Sequence, residues 1–179
     1  MLGVHFVPYA IGQGISPTMA ASAFGFMMFL NIAGGTGAGM LSDRFSRKNM
    51  LAMVYFVRGC AYILLLTVPG TASLWAFASV AGFSWIATIP LTTSLAADVY
   101  GLRKLGTISG LTFLCHQVGG AVSTLLAGYL FDLTGSYTIP FAIAGSLLFP
   151  AALVSFTIQE RKYSIRYQTA PAASAGSAN

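Results

Sequence analysis

The chain has 179 residues, of which 56% are hydrophobic and only 7% charged, with a net charge of +5 and a mean hydropathy of +0.76. A water-soluble domain carries about a quarter charged residues, so this composition excludes most soluble readings. Lys and Arg fall in three short clusters between apolar stretches, a pattern that fits membrane orientation and not a phosphate-binding face, so no nucleic-acid partner is expected.

A membrane-crossing helix needs about 20 mostly apolar residues. In chain order, His5-Phe6-Val7-Pro8-Tyr9 reads as the outer end of a helix whose beginning is missing. Full crossings are then predicted over 17–41, 49–68, 73–97, 107–131 and 137–158. Turn signals separate them: Gly14 to Pro17, Ser42 to Asn49, Pro69-Gly70, Gly101 to Gly106, and Thr134-Gly135-Ser136. The Ala/Ser/Pro/Gly-rich end predicts a disordered tail over 161–179 behind a membrane domain over 1–160. The fold class is all-α, five crossings plus the end of a sixth. Cys60 and Cys115 lie inside crossings and read as small packing residues rather than a disulfide.

Orientation follows from the cations. Arg44, Arg47 and Lys48 occupy one loop, Arg103 and Lys104 a loop two crossings later, and Arg161, Lys162 and Arg166 follow the last helix. With five crossings these lie on one side, the cytoplasmic one, and the opposite loops have no Lys or Arg. The expected location is therefore the plasma (bacterial inner) membrane, multi-pass, with the C-terminus cytoplasmic.

The stretch Gly39-Met40-Leu41-Ser42-Asp43-Arg44 recurs faintly 89 residues later as Gly128-Tyr129-Leu130-Phe131-Asp132-Leu133. A unit of three crossings places its two copies on opposite faces, so the chain reads as a three-plus-three inverted repeat.

Four polar residues inside crossings are candidates for substrate or coupling roles. Arg58 lies near the midplane, where an arginine costs about 2.5–3.5 kcal/mol unless it reaches a polar partner or a watery cavity. It either holds an anionic substrate, since guanidinium pairs with carboxylate, or braces a neighbouring helix. His116 can take up a proton near neutral pH and couple proton movement to substrate, or it bonds another helix. Gln117 can bond a substrate, but adjacent helical residues point about 100° apart, so His116 and Gln117 are not both expected on the cavity. Asn31 is the one amide of its crossing, and Thr88, Thr92 and Thr93 are polar positions of another; each either lines the pathway or bonds across helices, and taken singly the second is expected. Small residues at Gly35/Gly39 and at Gly120/Thr124/Gly128 predict close helix packing. Asp43, Asp98, Asp132 and Glu160 lie at helix ends or in loops, with no inward pair, phosphate loop or metal spacing, so neither an enzyme nor a cofactor is expected.

Gly39 to Leu51 resembles the cytoplasmic loop signature of the major facilitator superfamily, Gly-x-Leu-x-Asp-Arg-x-Gly-Arg-Lys-x-x-Leu, with Ser46 where glycine is usual. Pro90-Leu91-Thr92, Ala97-Asp98-Val99-Tyr100-Gly101, His116-Gln117-Val118-Gly119-Gly120 and Phe131-Asp132-Leu133-Thr134-Gly135 resemble its monocarboxylate and oxalate/formate-like branch. The resemblance implies the C-terminal half of a twelve-helix transporter that moves a small organic anion by alternating access. It implies a missing N-terminal half or second chain as partner, the alternative being a truncated, non-transporting fragment or assembly partner. It places the 17–41, 73–97 and 107–131 helices on the cavity and the 49–68 and 137–158 helices behind. Gly39, Asp43, Arg44, Arg47 and Lys48 would form a gating loop. In it Asp43 sits at the start of the 107–131 helix and pairs with Arg44 and Arg47.

Overall fold

A computed structural model of the protein describes residues 1–160; the expected tail, with Arg161, Lys162 and Arg166, lies outside the described residues. The elements are α1 (Leu2–Gly12), α2 (Pro17–Ser42), α3 (Arg47–Thr67), α4 (Thr71–Trp85), α5 (Thr88–Tyr100), α6 (Leu105–Thr134) and α7 (Thr138–Thr157), with a 3-10 turn at Leu102–Lys104 before α6. Each of the five expected crossings is present as an apolar span, the third formed by α4 and α5 together over Thr71–Tyr100. The 11-residue α1 is too short to cross a bilayer.

Local chemistry sets the ends. Pro17 opens α2 in the position where its missing N–H is harmless, and the Ser16 hydroxyl accepts from Met19 N–H at 3.3 Å. Gly135, in the left-handed region at φ 69°, closes α6, its N–H donating to Phe131 O at 2.7 Å.

The 73–97 crossing is not the single straight helix the sequence predicts. It breaks at Ile86–Ala87 because Pro90 has no N–H to give Ile86 O, and its ring crowds that carbonyl. Ile86 O accepts instead from Ile89 N–H at 2.9 Å, a tighter turn, and Pro90 falls in the first turn of α5, where proline is tolerated.

Lipid tails are as apolar as leucine, so close packing and not hydrophobic expulsion must hold these helices together. α3 packs along α7, and α2 along α4. Gly145 lies against the Tyr62 side chain and Gly59 against the Phe149 ring. A Cβ on Gly34 would stand 2.2 Å from Phe83 O, and one on Gly82 would stand 2.8 Å from Met27 O, so the α2 and α4 backbones nearly touch. The expected glycine ridge is used only in part: Gly35 lies close to Ile86 and its neighbour Gly34 makes the closest approach, while Gly39, Gly120 and Gly128 have no neighbour within 4 Å of a would-be Cβ. Phe6, Phe77, Tyr62, Tyr9 and Phe141 fill the centre, with ring centroids 5.7 Å apart for Phe6–Phe77 and 4.8 Å for Tyr9–Phe141.

Contacts sort the loops onto two faces. The α2–α3 loop meets the ends of α5 and α7. On the other face Tyr9 OH donates to Leu65 O at 3.0 Å, and Tyr137 at the start of α7 stacks on Phe131 at 4.3 Å. Asp43 and Asp132 therefore fall at opposite ends of the bundle, as an inverted repeat requires.

Backbone cannot swing aside as a side chain can, so Gly82→Ala is expected to destabilise by about 1–3 kcal/mol. Gly25→Ala, into open space, should stay within about 1 kcal/mol. Thermal melts of the two variants purified in one detergent distinguish the outcomes.

Candidate functional site

The helix break at the centre of the bundle leaves backbone groups that hydrocarbon cannot hydrate. Two side chains from neighbouring helices take them. Asn31 on α2 accepts from Ile86 N–H at 3.0 Å through Oδ1, while its amide donates to Met27 O at 3.1 Å. Arg58 on α3 donates from Nε to Ser84 Oγ at 3.1 Å and from a terminal nitrogen to Ser84 O. The Thr88 hydroxyl donates to Trp85 O at 3.0 Å. Arg58 and Asn31 thus grip the α4–α5 junction from two sides.

Beyond the break, α3, α5 and α6 enclose a half-open cavity of about 680 Å³. α5 contributes Thr88, Ile89, Thr92, Thr93 and Ala96; α6 contributes Ser109, Gly110, Thr112, Phe113, His116 and Gln117; α3 contributes Tyr55. Thr88 and Thr92 are one turn apart on α5, as Thr112 and His116 are on α6, so each helix turns a polar stripe to the cavity. Among the described residues its polar lining consists of hydroxyls, an amide and an imidazole, with no Lys, Arg, Asp or Glu. Ser109 Oγ is buried there without a hydrogen-bond partner.

A second cluster ties the face that carries the α2–α3 loop. Arg47 at the start of α3 pairs with buried Asp98 on α5 at 2.5 Å, donates to Ser94 O at 3.2 Å, and lies 3.7 Å from exposed Asp43. Lys48 N–H donates to the Glu160 carboxylate at 2.9 Å, and Lys48 Nζ donates to Phe156 O at 3.1 Å in the last turn of α7. A carboxylate thereby sits at the N-terminus of α3 and an ammonium at the C-terminus of α7, each opposite the favourable helix charge.

Several expected residues sit elsewhere than sequence reasoning put them. His116 and Gln117 both line the cavity, because it wraps far enough around α6 to meet adjacent positions. Asn31 and Arg58, each open to a helix-bonding role as well as a cavity one, bond α4 at the break and are not among the residues lining the cavity. The 49–68 helix does not simply stand behind: Tyr55 of α3 reaches the cavity. Asp43 meets Arg47, one turn on, rather than the start of α6, and Arg44 is exposed. Gly39 accepts from the Ser42 hydroxyl at 2.7 Å, closing α2 just before the loop. Asp98 and Glu160, read as plain end-of-helix acids, are the partners of Arg47 and Lys48. Asp98 could have been found as an acid one residue past the expected 73–97 crossing, still within the Thr71–Tyr100 span, and the break from Pro90 preceding Thr92 and Thr93.

Spans of membrane length, a polar-lined cavity and an ion-paired face define an integral multi-pass helical membrane protein. The chain belongs to the Major Facilitator Superfamily, whose family profile matches residues 1–175. It is similar to Monocarboxylate transporter 12 of Rattus norvegicus, 31% identical over 160 residues, covering 87% of this chain and 33% of that protein. The human Monocarboxylate transporter 12 is 31% identical over 163 residues, covering 87% of this chain and 31% of that protein. The MFS-type transporter YcxA of Bacillus subtilis (strain 168) is 33% identical over 150 residues, covering 80% of this chain and 36% of that protein. The chain thus spans about a third of the length of these relatives.

Removing one partner of a largely buried ion pair leaves the other charge stranded. Asp98→Asn is expected to lower stability by about 3 kcal/mol. Arg47→Leu combined with Asp98→Leu should cost less than either alone, read by thermal denaturation in detergent.

Proposed function

We propose that this chain forms one half of a secondary transporter that moves a small organic anion across a plasma membrane (the inner membrane of a bacterium) by alternating access. The observation that carries the proposal is the half-open cavity between α3, α5 and α6, whose volume suits a small solute. Its hydroxyls offer hydrogen bonds to a carboxylate, and the partnerless Ser109 hydroxyl is one of them. The similarity to proteins named monocarboxylate transporters supports a carboxylate as substrate.

Within that reading His116 is the coupling residue. Protonated imidazole attracts the anion and neutral imidazole releases it, so uptake rises as the pH of the side facing the cavity falls. Gln117 hydrogen-bonds the substrate beside it. A second half completes the cavity: α6 is exposed on both flanks, with Leu125 74% and Phe113 61% exposed, far more than a helix lining a closed pathway allows. The face bearing Arg44, Arg47, Lys48 and the 3-10 turn is cytoplasmic, and so is the C-terminus. Arg47, held between Asp98 and Asp43, and exposed Asp43 form the gate: a carboxylate one turn from its cation can be exchanged for a contact on the other half.

The test is uptake into proteoliposomes carrying the complete transporter, offered labelled monocarboxylates and their uncharged amides under a proton gradient. Saturable uptake of acids and not amides is expected; equal uptake of both sinks the anion reading. His116→Ala should reduce uptake at acid pH by about tenfold, the worth of one charge-assisted hydrogen bond, and flatten the pH profile. A pH dependence unchanged in that variant removes His116 from coupling.

A further inference from the structure

We propose that Arg58 and Asn31 are positioning residues. Together they hold the Pro90 break in the Thr71–Tyr100 span and so set the direction in which α5 aims its threonines at the cavity.

Pro90 directly bares only Ile86 O, which Ile89 N–H takes; because α4 stops at Trp85 and α5 starts at Thr88, further groups at the junction lie outside a continuous helical ladder in a medium without water. Two of these are met by side chains, Ser84 O by Arg58 and Ile86 N–H by Asn31. The supporting side chains come from different helices, α3 and α2, so the junction is fixed in two directions. Gly34 and Gly82 bring the α2 and α4 backbones close enough for the short Asn31 side chain to reach. Arg58 is held twice on Ser84, once through its hydroxyl and once through its carbonyl, which fixes the guanidinium plane. The far end of α5 is pinned independently by Arg47 on Asp98. With both ends held, the Thr88–Thr92 stripe has one orientation; with the near end released, α5 turns about its Asp98 anchor.

This inference uses the cavity as the substrate's path only for its consequence in transport. The geometry can be tested without any substrate, so its failure is separable from failure of the transport reading. In a Cys60→Ala, Cys115→Ala background, Thr92→Cys on α5 and Thr112→Cys on α6 serve as reporters, labelled in membrane vesicles with a small water-soluble methanethiosulfonate. Arg58→Gln and Asn31→Leu are each expected to change the Thr92→Cys labelling rate by about threefold or more, the lower end for coupled neighbours, and to leave Thr112→Cys within about twofold. Arg58→Lys, which keeps a donor for Ser84 O, should restore most of the rate. Adding Pro90→Ala, which returns an N–H to Ile86 O and closes the helix, should abolish the effects of both substitutions. Three results would overturn the proposal: an unchanged Thr92→Cys rate, a change that persists undiminished with Pro90→Ala, or equal shifts of both reporters. If Arg58→Gln yields no folded protein, Asn31→Leu and Arg58→Lys carry the same comparison.

Discussion

In hydrocarbon every backbone N–H and C=O must find a partner inside the protein, and a proline strains that requirement where α4 gives way to α5. Pro90 removes an N–H from the third crossing, and much of the local architecture answers it. Ile89 turns back to Ile86 O, Thr88 covers Trp85 O, Asn31 takes Ile86 N–H and Arg58 takes Ser84 O. Three of these partners are polar side chains at membrane depth, and the arginine among them would be costly without such contacts. The break therefore accounts for Arg58 and Asn31, and the close α2–α4 approach at Gly34 and Gly82 follows from the need to reach it.

The same element is secured at its other end by charge. Asp98 is buried, and Arg47 meets it while also touching Ser94 O, so the start of α3 and the end of α5 are tied together. Lys48 and Glu160 join α7 to them through a reciprocal exchange of helix-end contacts. The cationic loop thus acts first within its own half. Exposed Asp43, the weaker partner of Arg47, is the loop acid left facing outward, where a gating contact would have to form.

Much of this was legible in the sequence because spans, turns and charge asymmetry are local signals. Crossing boundaries agree within a few residues, and the loop sides follow from where Arg44, Arg47, Lys48, Arg103 and Lys104 fall. Rotation about a helix axis was not legible, since composition does not say which way a residue faces. That is why Gln117 reached the cavity beside His116, why Asn31 turned to α4, and why Arg58 met Ser84 rather than the cavity lining. Long-range pairs were invisible for the same reason: nothing local links Arg47 to Asp98 or Lys48 to Glu160. The break was written in Pro90, but apolar continuity across Ile86–Ile89 masked it, because hydropathy measures what a segment contacts and not whether its hydrogen bonds run on.

The charge inventory of the cavity carries a consequence for substrate recognition. An anion bound among hydroxyls and one amide, without a fixed cation, loses its hydration against neutral dipoles, and burying an unpaired carboxylate is costly. Arg58, with Nε and one terminal nitrogen engaged by Ser84, is not among the residues that line the cavity. If the anion proposed above enters this cavity, the His116 proton or a cation from outside the described lining would have to compensate it. A wall that accommodates neither charge well alone would then bind anion and proton together, and that mutual dependence would couple their movement.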